Sequence, residues 1–241
     1  MRGIIMDTRL TKTASFIDGV KACLPTIMGY LGIGIALGVV GKSTNLTILQ
    51  IFLMSTLVYA GSAQFILCGL LLLNAPILSI VFTVFLINLR HLLMSLSVAS
   101  YFKKDSLLNG IGIGTLLTDE SYGVLMSTLA QEENVTSRWM HGLNLTAYLV
   151  WILSTVVGAL LGNFIPDPTI FGLDFSLTAM FLGLFLFQVT LPLVKQKVKT
   201  IKILLVTSIS LVILMRFFSA EMSVIFATLL GCLTGVLIKN E

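Results

Sequence analysis

This chain contains apolar runs that no water-facing fold can bury. Eight stretches, about 16–40, 46–73, 76–100, 107–130, 142–164, 175–191, 201–217 and 223–238, are dominated by aliphatic and aromatic residues. A helix needs roughly 18 to 20 apolar residues to cross the hydrocarbon of a bilayer, and the first five runs are longer than that. Residues 201–215 are apolar on every side, as lipid-surrounded helices are, whereas a transmembrane barrel would alternate over segments of roughly ten residues. Only structures with closed backbone hydrogen bonding survive in lipid, so helices remain. Composition agrees: of 241 residues, 56% are hydrophobic and 11% charged, against about 25% charged in an ordinary soluble domain, and mean hydropathy is +1.02. The expected fold is all-α, a polytopic integral membrane bundle of seven or eight hydrophobic segments. No low-complexity linker divides it, so 1–241 is expected to form a single transmembrane domain.

The net charge of +4 comes from short loops. Lys195, Lys197, Lys199 and Lys202 fill one connection, Lys103 and Lys104 another, and Arg2, Arg9, Lys12 and Lys21 crowd the start of the chain. That is the positive-inside pattern, not a nucleic-acid surface. Asn74-Ala75-Pro76 and Pro166-Asp167-Pro168 read as turns, and the polar stretch 131–138, with Glu132 and Glu133, reads as extramembrane. The first apolar run is long and rich in glycine and reads as a retained span, not a cleaved signal. Cys23, Cys68 and Cys232 lie far apart in apolar runs and form neither a disulfide framework nor a metal motif. Small-residue pairs Gly34/Gly38, Gly158/Gly162 and Gly231/Gly235 allow close helix crossings; the last, in the final short run, is the first choice for contact with another chain.

Charge placement raises a parity problem. If all three basic regions face the cytoplasm, three segments separate each from the next, and three full crossings would put neighbours on opposite sides. Either one basic loop disobeys, or one segment in each interval crosses incompletely. The candidates for incomplete crossing are 46–73, interrupted at Tyr59-Ala60-Gly61-Ser62-Ala63-Gln64, and 107–130, interrupted at Thr118-Asp119-Glu120-Ser121. Polar backbone at membrane depth persists only where protein or a wet cavity covers it. Secondary transporters build midplane sites from such broken or re-entrant helices.

The third run carries Asn88-Leu89-Arg90-His91 near its middle. An arginine at a helix centre costs roughly 2.5–3.5 kcal/mol on insertion scales, so a carboxylate, carbonyls or water must face it. At 100° per residue Asn88 and His91 share a face and Arg90 points nearly opposite Asn88; the helix is expected to show Asn88 and His91 to one cavity and Arg90 to another neighbour. Arg90 is then either a tie between helices or part of a functional charge network. His91 is either a satisfied core histidine or a group protonated near neutral pH. Asp119 and Glu120 supply the opposing charge, one able to pair with Arg90 while the other faces a cavity. Tyr59, Ala60, Gly61, Ser62, Ala63 and Gln64 combine little bulk with hydrogen-bonding groups; they suit either a close helix crossing or a strip of bare backbone that meets a solute. His141 is the only other histidine, no metal-binding spacing exists, and the phosphate-binding pattern GxxxxGK[ST] is absent. No metal, cofactor or catalytic residue is expected, and the chain is not expected to be an enzyme.

The residues Gly29-Tyr30-Leu31-Gly32, Tyr59-Ala60-Gly61-Ser62-Ala63-Gln64-Phe65, Asn88-Leu89-Arg90-His91, Leu117-Thr118-Asp119-Glu120, Trp151 with its following glycines, and Gly172-Leu173-Asp174-Phe175 occur in that order between about 16 and 191. In this the chain resembles the azaleucine-resistance (AzlC-type) family of branched-chain amino acid exporters, the larger subunit of a two-component system. The family often has a second alanine where Ser62-Ala63 stands, and the last two runs carry no matching motif. The resemblance implies export of leucine, isoleucine, valine and similar apolar amino acids such as methionine across the bacterial cytoplasmic (inner) membrane. It also implies coupling to the proton gradient and a small membrane partner subunit. A zwitterion requires a cation for its carboxylate, an acid or carbonyl for its ammonium and an apolar pocket, and the inventory above contains all three. Tyr59 to Gln64 and Asn88 are therefore the expected substrate contacts, and Arg90, His91, Asp119 and Glu120 the expected proton and charge network. The rival readings are a non-transporting assembly or regulatory subunit, uptake in place of export, and a membrane-embedded enzyme using Asp119, Glu120 and His91.

Overall fold

A computed structural model of the chain describes residues 14–131, 135–165, 175–218 and 220–238. Within them lie eleven helices and no strand: α1 (Phe16–Ala22), α2 (Leu24–Ser43), α3 (Ile48–Leu57), α4 (Gly61–Leu72), α5 (Ile77–Ala99), α6 (Leu107–Thr115), α7 (Asp119–Ala130), α8 (Ser137–Leu161), α9 (Ser176–Lys195), α10 (Lys197–Leu214) and α11 (Ala220–Leu237). The fold is the expected all-helical membrane bundle; α2, α5 and α8 are each long and apolar enough to cross a bilayer. Residues 1–13 with Arg2, Arg9 and Lys12, the Glu132–Glu133 part of the polar stretch, Pro166-Asp167-Pro168 and Gly172-Leu173-Asp174 lie outside the described residues.

Each boundary has a local cause. Ser15 and Thr47 close reciprocal capping boxes with Asp18 and Gln50 at the starts of α1 and α3. Ser106 and Thr136 cap α6 and α8 through their hydroxyls. Asn74 takes a left-handed φ of 52° in the turn before Pro76, as the sequence suggested. The run 16–40 divides at Cys23, because Pro25 sits in the first turn of α2 and cannot donate a hydrogen bond to the preceding helix.

Two further runs are divided where incomplete crossing was expected, with a shift. The α3–α4 break is Val58-Tyr59-Ala60 and the α6–α7 break is Leu116-Leu117-Thr118. Gly61 to Gln64 and Asp119 to Ser121, expected as the interruptions themselves, are instead first turns of the following half-helices. The carbonyls freed at the ends of α3 and α6 are answered from neighbouring helices. Tyr148 donates to the Thr56 carbonyl at 3.0 Å and Asn144 to that of Ile113 at 3.0 Å. Side chains thus replace the water that a bilayer withholds.

The core of the bundle is the crossing of α2 with α8. Gly34 lies on Ser154, Gly38 on Thr155, Gly158 and Ala159, and Gly158 on Ile35, so the two backbones touch with almost no side chain between them. Gly19 and Gly142 bring α1 onto α8 in the same way. By contrast α5 is peripheral. Of its residues only Val98 is buried, and Leu78, Phe82 and Leu93 face outward, where lipid would lie. At the far end α10 packs along α11 with Gly231 against Thr207 and Gly235 against Ile203. Gly231 and Gly235 were expected to meet another chain; they are occupied within this one, because α10 supplies the nearest apolar face.

Candidate functional site

The two breaks bring the starts of two half-helices to one place. Helix α4 follows Ala60, whose backbone is extended and whose side chain makes no capping hydrogen bond to its first turn. Tyr59, just before it, is held at φ 42°, a left-handed conformation that costs a residue with a side chain on the order of 1–3 kcal/mol and that persists where surroundings enforce it. Those surroundings include Tyr148, whose ring meets that of Tyr59 edge-on at 4.8 Å. Helix α7 begins differently: Thr118 forms a capping box with Ser121, and Asp119 and Glu120 occupy its first turn, where carboxylates favour the positive helix end.

Between these two ends lies a small, partly open cavity of about 10 Å³, room for roughly one water molecule. One side of its wall is Tyr59, Ala60, Gly61 and Ser62; the other is Thr118, Asp119 and Glu120. Arg90 and His91 close it from α5, Tyr30 from α2 and Trp151 from α8.

The charged groups are connected. Arg90 Nη2 stands 2.8 Å from Asp119 Oδ2 and donates to Ser62 Oγ at 2.6 Å, linking the starts of both half-helices through one guanidinium. His91 Nε2 is 3.8 Å from the same Asp119 oxygen. Tyr30 donates its hydroxyl proton to Glu120 Oε2 at 2.8 Å, and its oxygen lies 2.8 Å from Thr118 Oγ1. With one proton on the Tyr30 hydroxyl, that leaves Thr118 as the donor in the second contact. With His91 neutral and both carboxylates ionised, two negative charges face one positive, a net −1 that a proton or an ammonium group would balance. Among the described residues no set of three His, Cys, Asp or Glu side chains converges for a metal ion.

All four residues of the expected charge network therefore line one cavity. Asp119 meets Arg90, whereas Glu120 accepts from Tyr30; the spacing suggested that only one carboxylate would face a cavity, and both line this one. Of the expected substrate contacts, Tyr59, Ala60, Gly61 and Ser62 line the cavity, and Ala63, Gln64 and Asn88 do not. The helical-wheel expectation for α5 is corrected. Arg90 and His91 share the cavity while Asn88 is outside it, its buried Oδ1 without a hydrogen-bond partner. Gln64 is fully buried, with Nε2 donating to Ser55 Oγ at 3.1 Å and Oε1 accepting from Trp151 Nε1 at 2.9 Å.

Tyr30, Thr118 and Trp151 line the cavity without having been singled out as site residues. The signal was present for the two aromatics: a tyrosine and a tryptophan in mid-run, away from the membrane interface, need partners for O–H and N–H. Thr118 gave less warning, because its role is that of a helix cap whose hydroxyl also reaches Tyr30.

The architecture defines a class: a polytopic helical membrane protein whose interrupted helices meet at a small, charged cavity. The model of the family described as AzlC protein matches residues 25–165, which includes both breaks and every cavity residue. The chain belongs to the AzlC family. It is 31% identical over 180 residues to an uncharacterized membrane protein of Archaeoglobus fulgidus, spanning 73% of this chain and 77% of that one. It is 28% identical over 189 residues to the branched-chain amino acid transport protein AzlC of Bacillus subtilis, spanning 76% and 71%. With the inner membrane protein YgaZ of Escherichia coli it shares 26% identity over 236 residues, 93% and 91% of the two chains. No solved structure matches the chain.

Proposed function

We propose that this protein is a secondary transporter that exports branched-chain amino acids, leucine, isoleucine, valine and similar apolar amino acids such as methionine, across the cytoplasmic membrane. The observation that carries the reading is the meeting of two half-helix starts, one without a side-chain cap and one acidic, with Arg90 between them at a single small cavity. A helix start binds anions through free N–H groups and the helix dipole. The solute carboxylate lies at the first turn of α4, beside Ser62 and Arg90; its ammonium replaces Arg90 at Asp119 or sits between Asp119 and Glu120. Its side chain meets Tyr59, Ala60 and Gly61. Membership of a family that includes a protein named for branched-chain amino acid transport supports the substrate class. His91, beside Asp119, is the proton carrier that couples the cycle to the proton gradient, and a small membrane partner subunit completes the exporter.

Counterflow of labelled leucine in vesicles, with and without a pH gradient and with and without the partner, tests the reading. Leucine, isoleucine and valine exchange, glycine does not, and the gradient accelerates net export. Leucine exchange no faster than that of glycine overturns the substrate assignment; exchange indifferent to the gradient removes the coupling. A non-transporting subunit would show no exchange at all under any of these conditions.

A further inference from the structure

Trp151 is the largest side chain in the cavity wall, and it is held there from outside the cavity. Its indole N–H donates to Gln64 Oε1 at 2.9 Å, across the gap between α8 and α4. Ser55, on α3, occupies the other end of the same amide. The ring extends so far over the first turn of α4 that a methyl group on Gly61 would lie 2.9 Å from its Cη2. On its other side the ring meets Tyr30 at 4.9 Å and 65°, and Tyr30 is the partner of Glu120. One indole thus closes the space between the start of α4 and the acidic start of α7.

A cavity with room for about one water is far smaller than the roughly 300 Å³ or more of small-molecule sites, so a wall must withdraw to admit an apolar solute. The backbone of α8 beside Trp151 is fixed, since Ser154 and Thr155 lie in direct contact with Gly34 and Gly38 of α2. Arg90 and Tyr30 are held by charged partners. The wall between Gly61 and Trp151 is fastened by a neutral hydrogen bond, and neutral bonds are about half as strong as charge-assisted ones.

We infer that Gln64 and Trp151 form a latch: while their hydrogen bond holds, the indole fills the place that the solute's apolar side chain takes when the bond opens. Trp151 is then the residue that determines selectivity by size, and Gln64 is a positioning residue that acts through it without touching solute. The inference rests on the transport reading above and deepens it.

The chain has two tryptophans, so Trp139→Phe leaves Trp151 as the sole indole reporter. In the purified full chain carrying that change, leucine shifts the Trp151 emission and glycine does not. Gln64→Leu added to it shifts the emission with no solute present. Trp151→Phe keeps a ring and loses the donor, and Gln64→Leu loses the acceptor; each opens the latch, so each lowers the Kd for leucine about fivefold, the equivalent of one hydrogen bond, while slowing export. Because both changes cut one bond, the double variant binds leucine no differently from either single variant. Additive effects, weaker leucine binding in Gln64→Leu, or Trp151 emission that leucine leaves unmoved at saturation overturns the latch. If Gln64→Leu fails to fold, as judged by elution and helical content, Trp151→Phe decides alone: a lowered Kd supports the latch and an unchanged or raised one overturns it. If the parent binds no leucine either alone or with the partner subunit, the transport reading falls, and the solute-free emission of Gln64→Leu still decides the latch.

Discussion

Asp119 accepts two neighbours at one oxygen, the guanidinium of Arg90 and the ring of His91, and its exposure is only 13%. Asp119→Asn keeps the shape and removes the charge, leaving Arg90 facing an amide in a poorly solvated place; that should lower export about five- to thirtyfold, since breaking such a pair costs roughly 1–2 kcal/mol after allowance for the 28% exposure of Arg90. Glu120→Gln should impair export as well, because Tyr30 then donates to a neutral oxygen. Wild-type flux in both variants, measured as labelled leucine efflux at matched protein level, would remove the carboxylates from the cycle. Arg90→Lys is informative for a different reason. A lysine presents one compact point charge and cannot link Ser62 and Asp119 as the guanidinium does. Its efflux should fall about tenfold, with protein level unchanged.

Among the elements, the sequence made the breaks legible and misplaced their contents. Glycine and polar residues at 59–64 and 118–121 signalled interrupted helices, but a helix start and an unwound strip use the same residue types. Hydrogen bonding separates them: Gln64 N–H reaches the Ala60 carbonyl, and Tyr122 N–H reaches that of Thr118, so both strips are already helical. The charged members of the cavity were legible because an arginine at membrane depth demands an acid. Gln64 was not, since nothing in its spacing tells a solute ligand from a group shared between Ser55 and Trp151. The small-residue pairs give the clearest element-scale prediction. Gly38→Ala drives a methyl into the Thr155–Ala159 stretch of α8 and should destabilise by about 1–3 kcal/mol, as overpacked cores do. Gly32→Ala, on the same helix, meets nothing within 4 Å and should be neutral or stabilising by up to about 1 kcal/mol. Thermal unfolding in detergent, followed by loss of the monodisperse peak, compares the two; equal midpoints would disprove the crossing.

At the scale of the molecule, composition alone dictated a membrane bundle, and pairwise assembly was beyond it: which helices cross depends on steric fit between faces that all read as apolar. The parity of the basic loops belongs here too. Cysteine introduced at Lys104 and at Lys197, each in an otherwise cysteine-free chain, should react with an impermeant maleimide from the same side of the membrane. Labelling from opposite sides would mean that every segment between them crosses fully and that one basic loop faces outward.

The α2–α8 crossing has a mechanical corollary. Two helices that meet backbone to backbone have no cushion of side chains to rearrange, and a slide by one turn would drive Ile35 or Thr155 into a neighbouring main chain. They behave as a keel. Whatever shape change carries cargo through this protein must come from the short pieces hung around it, the half-helices and the outer α5, turning about a spine that stays still.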